Sequence, residues 1–585
     1  MVKESGALEQ TGEGGPRVEA LRTHEIPATL QDLVMARLDR MDQERELAQL
    51  AATLGREFSH EMLAAVADVD ERTLQAQLAK LVQAEILYAK GRPPRCSYIF
   101  KHALLEDALY NALVKGKRQR FHRRIAEVLE ARFPQTVQTQ PELLAHHFTE
   151  AGLGDKAIAY WLKAGLRSQE RSANVEAARH LTRGLALVRA VAESPERDAQ
   201  ELQLLNPLGT LYMATLGYAA PEVGPVFRRA RELSDRIGQP MQRFAVMWGN
   251  WAWHVDRGDF RLCMELAEEA LQFVGTLSDP GMMMEALFMR GLTMVCRADF
   301  VGARADCLRA IANYDDRERT KFWATHTGQD SGTAHRCNLA LALWHLGYPD
   351  QALQLSRETI EFARSIDHPF SLAYALHHAG SWLRVLCRLG AEAQAATDEQ
   401  IDIATEQGFA FYRAGGTLYR GAGVVLQGNL ELGLPLLIEG LESYRASGAE
   451  LALPYFLSLL GNGYTQAAHF VEALRALDDG LSVVEKNDDR FAEAELHRLL
   501  GELHLAKTVD QAAAEESFRT AIEVARRQQS KAWELRATTS LARLWQRQGR
   551  RDDARAALAA VYGTYTEGFT TPDLVKARAL LEALA

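Results

Sequence analysis

The sequence predicts an all-α protein: a long solenoid of stacked antiparallel helix pairs behind a small domain of three helices and a β-hairpin. Three observations lead there. A spacing of small residues recurs, the hydrophobic period switches from helical to two at only one place, and from about residue 141 onward only helical periods occur, broken by short Gly, Asp or Pro turns. In the recurring spacing a small residue is followed 12 positions later by another, then four further on by a variable residue, and three after that by a further small one. Gly291, Ala303, Cys307, Ala310 fit it, as do Gly421, Gly433, Leu437, Gly440 and Gly461, Ala473, Leu477, Gly480. Ala340, Ala352, Ser356, Thr359 and Ala542, Ala554, Leu558, Val561 are looser copies. Two helices joined by a short turn approach closely only where side chains are small. The residue four later is expected to fill the space to the next pair. One pair cannot bury its apolar face alone, so pairs stack.

In chain order, residues 1–25 are rich in Gly and Glu and lack periodicity, which predicts a flexible lead-in. A first helix begins at Pro27, with Leu30, Leu33, Val34, Leu38 and Met41 on one stripe. Helices are expected over 43–54, ending at Gly55; over 59–67, with Ser59 as cap; and over 70–84, with Leu74, Leu78, Leu81 and Val82 buried. The alternation in 86–88 and 96–100, on either side of the Gly-Arg-Pro-Pro-Arg stretch 91–95, predicts a hairpin. Three helices and a β-wing read as a winged-helix domain, placed with its following helix at 26–135. A helix over 101–114 comes next, and the solenoid occupies 140–585.

Two frames compete at the start of the solenoid: Ala145, Ala157, Trp161, Ala164 and Gly165, Ala177, Leu181, Gly184 share a helix. Between about 200 and 290 the pattern is degraded. The C-terminal copies step by about 40 residues (Gly421, Gly461, Gly501, Ala542), longer than the roughly 34 of the tetratricopeptide repeat. Extra turns or longer helices are therefore expected.

A net charge of −10 argues against a general nucleic-acid-binding surface. The six cysteines form no C-x-x-C pair and have no His at zinc-finger spacing, so free thiols in a reducing cytoplasm are expected. No apolar run approaches 18 residues, and no apolar stretch lies between the N-terminal charges, so neither a membrane span nor a secretory signal is predicted.

The small-residue frame resembles the tetratricopeptide pattern, which implies a binding scaffold rather than an enzyme. Three ordered segments extend the resemblance. Residues 26–40 (Ile-Pro-Ala-Thr-Leu-Gln-Asp-Leu-Val-Met-Ala-Arg-Leu-Asp-Arg) form the first, and 100–110 (Phe-Lys-His-Ala-Leu-Leu-Glu-Asp-Ala-Leu-Tyr) the second. The third combines Trp533-Glu-Leu-Arg-Ala, Ser540-Leu-Ala-Arg-Leu-Trp545 and Tyr565-Thr-Glu-Gly-Phe-Thr-Thr-Pro-Asp573. Together they look like the C-terminal half of bacterial signalling proteins similar to STAND-type signal-transduction ATPases. Many of these carry a class III adenylate or guanylate cyclase domain, then a P-loop ATPase, a winged helix and a tetratricopeptide array. The resemblance runs from about residue 4 to 585 and is weakest over 200–290 and 310–460. It implies that the lead-in, Glu4-Ser-Gly-Ala-Leu8, is the end of the ATPase module. The chain would then be a truncated gene, one part of a split gene or a stand-alone regulator.

Candidate chemistry is sparse. Gly116-Lys117 comes nearest a phosphate loop, but Arg118 follows instead of Ser or Thr and Asn111 stands where the leading Gly belongs. No multi-stranded pattern exists to hold the metal-binding carboxylates of a cyclase, and no H-E-x-x-H or G-x-S-x-G occurs. No cofactor and no metal are expected. Lys115, Lys117, Arg118, Arg120, Arg123 and Arg124 form the sharpest basic patch. It is a candidate contact for phosphates or an acidic partner, against the plainer reading of a solvated helix face. Helix 70–84 offers only Arg72 and Lys80 against Asp70, Glu71 and Glu85, a poor balance for reading DNA.

His102, Asp107 and Tyr110 are expected to lock helix 101–114 to the wing. His146-His147 and His377-His378 point about 100° apart on a helix and chelate poorly. Trp248, Trp251, Trp253 and Tyr562, Tyr565, Phe569 are candidates for inter-repeat core or for a peptide groove. Gly291, Ala303, Gly421, Gly433, Gly461, Ala473, Ala542 and Ala554 are the expected repeat-packing residues. The resulting expectation is a non-catalytic regulatory scaffold. It would bind a protein or peptide partner, among them a nucleotide-binding ATPase or cyclase module. The alternatives are a fragment of a nucleotide cyclase and a winged-helix transcription regulator.

Overall fold

The computed structural model describes residues 42–171, 173–277, 279–312, 314 and 328–585. The expected lead-in 1–25 and the segment 26–40 lie outside the described residues. The chain divides into two compact units between Tyr160 and Trp161.

The first unit contains α1 (Asp42–Leu54), β1 (Glu57–Ser59), α2 (His60–Val66), α3 (Glu71–Gln83), β2 (Leu87–Arg92), β3 (Arg95–Phe100), α4 (Ala103–Asn111), α5 (Lys115–Arg132), α6 (Pro134–Thr139) and α7 (Pro141–Glu150). Ser59 caps α2 by accepting from Met62 N at 3.0 Å, and Asp70 caps α3 by accepting from Thr73 N at 3.0 Å. Leu74, Leu78 and Leu81 form the buried stripe of α3. The hairpin pairs Leu87 with Phe100 and Tyr88 with Ile99, and Cys96, Tyr98 and Phe100 alternate into the core.

The sheet has a third strand, in the order β1-β3-β2. The sequence reading lacked it because three residues are too few to show a period of two. The expected helix 101–114 stops at Asn111, and the chain turns before α5. Helices α6 and α7 pack on α5. The first unit therefore extends to Tyr160, past the expected end at 135.

The second unit is a tetratricopeptide-like solenoid. It starts within α8 (Gly154–Glu170) and continues through α9 (Asn174–Arg189), α10 (Pro195–Leu216), α11 (Val223–Ile237), α12 (Pro240–Asp256), α13 (Phe260–Gly275), α14 (Pro280–Cys296) and α15 (Phe300–Ala312). Beyond residue 328 come α16 (Ser331–His345), α17 (Pro349–Ser365) and α18, built from Pro369–Ala375, a π-helical stretch Leu376–Trp382 and Leu383–Leu386. Then follow α19 (Gly390–Gln407), α20 (Ala410–Leu426), α21 (Leu430–Ala446), α22 (Leu453–Gln466), α23 (Phe470–Asn487), α24 (Glu493–Lys507), α25 (Gln511–Arg527), α26 (Lys531–Arg547), α27 (Arg551–Tyr562) and α28 (Pro572–Leu584). Even-numbered helices from α10 onward stack on one another as the inner layer, and odd-numbered ones form the outer layer.

The small residues sit where helices touch. A Cβ on Gly421 would come within 2.5 Å of Leu437 N and 2.9 Å of Gly433 O. One on Gly433 would lie 2.9 Å from Val425 N, and one on Gly440 would meet the Leu418 backbone. Ala303, Ala473, Ala542 and Ala554 are fully buried.

The role of the variable residue differs from expectation. Leu477 serves its own pair as well as the next: its Cδ2 lies 2.7 Å from where a Gly461 Cβ would stand, and it shares a buried cluster with Leu496 and Leu499 of α24. Leu181 fills Gly165 in the same way, and Cys307 Sγ lies 3.8 Å from the Gly291 position. The last small residue also faces the next pair: Gly480 receives Leu496 and Gly184 receives Leu204. The two competing frames both hold, because α8 carries Ala157, fully buried, and also Gly165, seated on α9. In the degraded stretch the contact within a pair keeps this sense, and the contact to the next pair is reversed. Phe227 on the outer α11 wedges against Gly209 and Gly249 on the inner α10 and α12.

The inner helices also meet at long range. Helix α10 packs on α20, and α16 packs on α26, five pairs later in each case. The carbonyl of Asp256, ending α12, accepts from Glu450 N at 2.7 Å and Leu451 N at 3.2 Å. That of Cys296, ending α14, accepts from Arg490 N at 2.9 Å and Phe491 N at 3.0 Å. At the end of α16, His345 Nδ1 is 2.9 Å from Ser530 Oγ, and at the end of α18 the Leu386 carbonyl accepts from Arg536. Carbonyls at a helix C-terminus have no partner within the helix. The loop residues that lengthen the repeat to about 40 supply the donors, which accounts for the long step. Replacing Gly421 with Ala should lower the unfolding free energy by about 1–3 kcal/mol through overpacking. Gly275→Ala, where nothing lies within 4 Å of the new Cβ, should be neutral or slightly stabilising. Urea denaturation of the two variants measures the difference.

Candidate functional site

Packing between helices five pairs apart fills most of the inner surface of the second unit with the chain's own side chains. Trp248, Trp251, Trp382, Trp533, Tyr412, Tyr419 and Tyr444 are all fully buried there. Trp533 donates from Nε1 to Phe491 O at 3.0 Å, and its ring meets Trp344 edge-on at 4.9 Å between centroids. The tryptophans Trp248 and Trp251 and the tyrosine Tyr565 are therefore core rather than groove. Trp253 is partly buried, packed against that core, and Phe569 is exposed at the surface.

One face remains open. The last turns of α8, the face of α10 and the turn between α17 and α18 line a cleft of about 900 Å³. The cleft is lined by Leu162, Leu166 and Glu170 of α8 on one side and by Phe362, Ile366 and Phe370 on the other. Gln203, Asn206, Pro207, Thr210, Leu211 and Ala214 recur at intervals of three and four, so they share one face of α10. Met241, Gln242 and Ala245 of α12 extend the floor. Phe362, Ile366, Pro369 and Phe370 form the opposite wall, and Phe409 lies between.

Pro207 sits inside α10. It has no N–H, so the carbonyl of Gln203, four residues earlier, loses its helical donor. Beside it, among the described residues, Asn206 Oδ1 is buried without a hydrogen-bond partner. A wall with amides and an unpaired carbonyl amid apolar side chains suits a ligand that offers both peptide-like hydrogen bonds and apolar groups. These cleft residues were absent from the sequence expectations. A mid-helix Asn-Pro was the available signal, because each residue is a poor choice for a helix interior.

The residues expected from the sequence fare differently. Of the basic patch on α5, Lys117 Nζ lies 3.1 Å from Glu46 and donates to Gln49 Oε1 at 3.3 Å. Arg118 donates to Tyr110 O at 3.2 Å and covers the Tyr110 ring at 4.4 Å. Arg124 stands 3.7 Å from Asp68. Among the described residues, Lys115, Arg120 and Arg123 are exposed and make no ion pair.

In α3, Lys80 is held by Glu44 at 2.5 Å, which takes one of its two cations out of any external contact. Tyr110 does join a polar network, but toward α5 and α7 rather than the wing. Its hydroxyl is 2.9 Å from His122 Nε2, and His122 Nδ1 is 2.8 Å from His147 Nδ1. His102 and Asp107 are exposed. His377 and His378 lie in the π-helical stretch of α18. Arg384 Nη1 serves that stretch by donating to Ala379 O at 2.9 Å and Gly380 O at 3.1 Å. The six cysteines are buried free thiols. Among the described residues no group of three or more His, Cys, Asp or Glu is placed to hold a metal ion, and no helix is long and apolar enough to cross a membrane.

Set beside known proteins, the chain matches no family model. It is 24% identical over 527 residues to an uncharacterised protein of Rhizobium meliloti (strain 1021), covering 88% of this chain and 50% of that one. The chain thus spans about half the length of that relative. Among solved structures it is similar to a Rap protein complexed with Competence and Sporulation Factor (12% identity, 73% of this chain and 99% of that chain, TM-score 0.36). It is also similar to a STAND protein with a tetratricopeptide repeat sensor from Pyrococcus horikoshii (12%, 96% and 68%, TM-score 0.30) and to yeast Tom70 (11%, 79% and 96%, TM-score 0.30). TM-scores of this size carry no argument about function.

Burial sets two opposite responses to pH. Desolvation lowers His122 to about 4 and His147 to about 3, below the 6.5 of a free imidazole. The unfolded chain therefore takes up protons first. The contribution of these histidines to the first unit is complete above about pH 6.5 and is lost as the pH falls toward 4. Desolvation raises Glu285, which accepts from Ser331, to about 8. Its contribution to the second unit is complete below pH 4.5 and is lost as the pH rises through 8. Melting curves across this range should show both trends, with His147→Leu flattening the acid side and Glu285→Gln the alkaline side.

Proposed function

We propose that this protein is a non-catalytic regulatory scaffold of a signalling system. The solenoid takes a protein or peptide partner in the cleft beside α10, and the first unit couples to a nucleotide-binding ATPase or cyclase module. The observation that carries this reading is the cleft itself. It is an open inner face of about 900 Å³ beside a large buried core that runs through the described inner helices. Its volume is near the upper end of the range for ligand pockets, and its mixture of amides and apolar groups is that of a recognition surface.

In the first unit α1, α2 and α3 are followed by the β2–β3 hairpin of a three-stranded sheet, the element order of a winged helix. We read it as a coupling domain rather than a reader of DNA, because Lys80 is engaged by Glu44 and α3 begins with Asp70 and Glu71. The exposed Lys115, Arg120 and Arg123 are its best-placed group for an acidic partner surface. The separations seen among the small residues support the repeat-packing role of Gly421, Gly433 and Gly461.

The test is affinity purification of the tagged full chain from a bacterial host, with and without a co-expressed cyclase–ATPase module, for wild type and Asn206→Trp. The expected result is a partner recovered with wild type and lost with the blocked cleft, while the thermal midpoint stays within a few degrees. A partner retained by Asn206→Trp would place binding elsewhere on the solenoid. In the same experiment, replacing Lys115, Arg120 and Arg123 with Ala should reduce recovery of the module and leave the cleft partner unchanged.

A further inference from the structure

We infer that the cleft selects short extended peptide segments carrying Lys or Arg beside apolar side chains. This rests on the reading of the cleft as the binding site. Three acidic residues, Glu170, Asp330 and Asp367, are among the residues lining it, and among the described residues neither Lys nor Arg is. Glu170 and Asp367 are exposed, and among the described residues neither forms an ion pair. Asp330 is buried and engaged: Oδ1 accepts from Thr333 N at 2.6 Å, and Oδ2 accepts from Tyr314 Oη at 2.9 Å. It adds negative charge to the wall without offering a free oxygen. The nearby Arg336 does not line the cleft, and its guanidinium sits 4.5 Å over the Phe362 ring.

A concave surface with one sign of charge concentrates ligands of the other sign, and the net charge of −10 acts in the same direction at long range. Among the described residues, anionic ligands, nucleic acid included, find neither Lys nor Arg in the lining to meet a phosphate. Asn206 Oδ1 and the Gln203 carbonyl freed by Pro207 are acceptors, and the exposed Gln203 side-chain amide is a donor, which together match the alternating N–H and C=O of an extended backbone. The apolar walls take the side chains in between. Charge, backbone polarity and apolar lining therefore converge on one class of occupant, a cationic amphipathic peptide segment.

Selection of random octapeptides displayed on phage against the purified full chain tests this, followed by fluorescence anisotropy on the best peptide. The selected peptides should be enriched in Lys or Arg together with Leu, Ile, Phe or Met, and depleted in Asp and Glu. The double substitution Glu170→Gln, Asp367→Asn should weaken binding roughly three- to tenfold, the range for two exposed charge pairs. Added salt should weaken wild type more than the double variant. Asn206→Leu should weaken every selected peptide. Peptides that are neutral or acidic, yet lose binding in Asn206→Leu, would overturn the charge selection and leave the cleft as the site. Failure to select any peptide whose binding depends on Asn206 would overturn the cleft reading itself.

Discussion

The second unit depends on one recurring hydrogen-bond arrangement. Where an inner helix ends, its last carbonyls would be buried without partners, because helical geometry leaves the final turn unpaired. Here the donors come from the start of another inner helix five pairs later: Glu450 and Leu451 serve Asp256, and Arg490 and Phe491 serve Cys296. A buried backbone group without a partner costs about as much as a lost hydrogen bond, roughly 1–3 kcal/mol. The array is therefore held to a pitch that brings these ends together. Ion pairs reinforce the same seam, as Arg297 with Asp488 at 2.7 Å shows.

That constraint decides what the inner surface can do. Helices coiled at this pitch bury their inner faces on each other, and residues of α16 from Ser331 to His345 are, with Arg336 excepted, out of solvent. Aromatic rings, neutral histidines and protonated carboxyls occupy the space that a more open array would present to a ligand. Burial there pushes Asp489 to about 7 as well as raising Glu285. Among the described residues a cleft lies between the last turns of α8, the face of α10 and the start of α18. Pro207 and Asn206 stand at that place, and among the described residues Asn206 Oδ1 has no partner.

The small residues explain how pairs form, and the distances show why they must be small. Gly421, Gly433 and Gly440 meet opposing backbone, so no flexible side chain can move aside. Gly461 and Gly165 meet the tip of a leucine. Around Phe227 one outer side chain fills glycines on both neighbouring inner helices, Gly209 within its pair and Gly249 in the next.

The sequence by itself determined the helix pairs, their step of about 40 residues and the helix-and-hairpin order of the first unit. These follow from local periodicity, capping residues such as Ser59 and Asp70, and small residues at fixed separation. It also ruled out a phosphate loop at Gly116-Lys117 and weakened the pairing of His146 with His147 as metal ligands. Tertiary structure alone decided three things. It made core of Trp248 and Trp251, it spent Lys117 and Arg118 on contacts within their own unit, and it left the face of Asn206 and Pro207 open. Lys117 and Arg118 depend on contacts within the first unit; the other two depend on which helices meet about 190 residues apart. That is set by the pitch of the whole array, and a pitch leaves no periodic signal in any single stretch of chain.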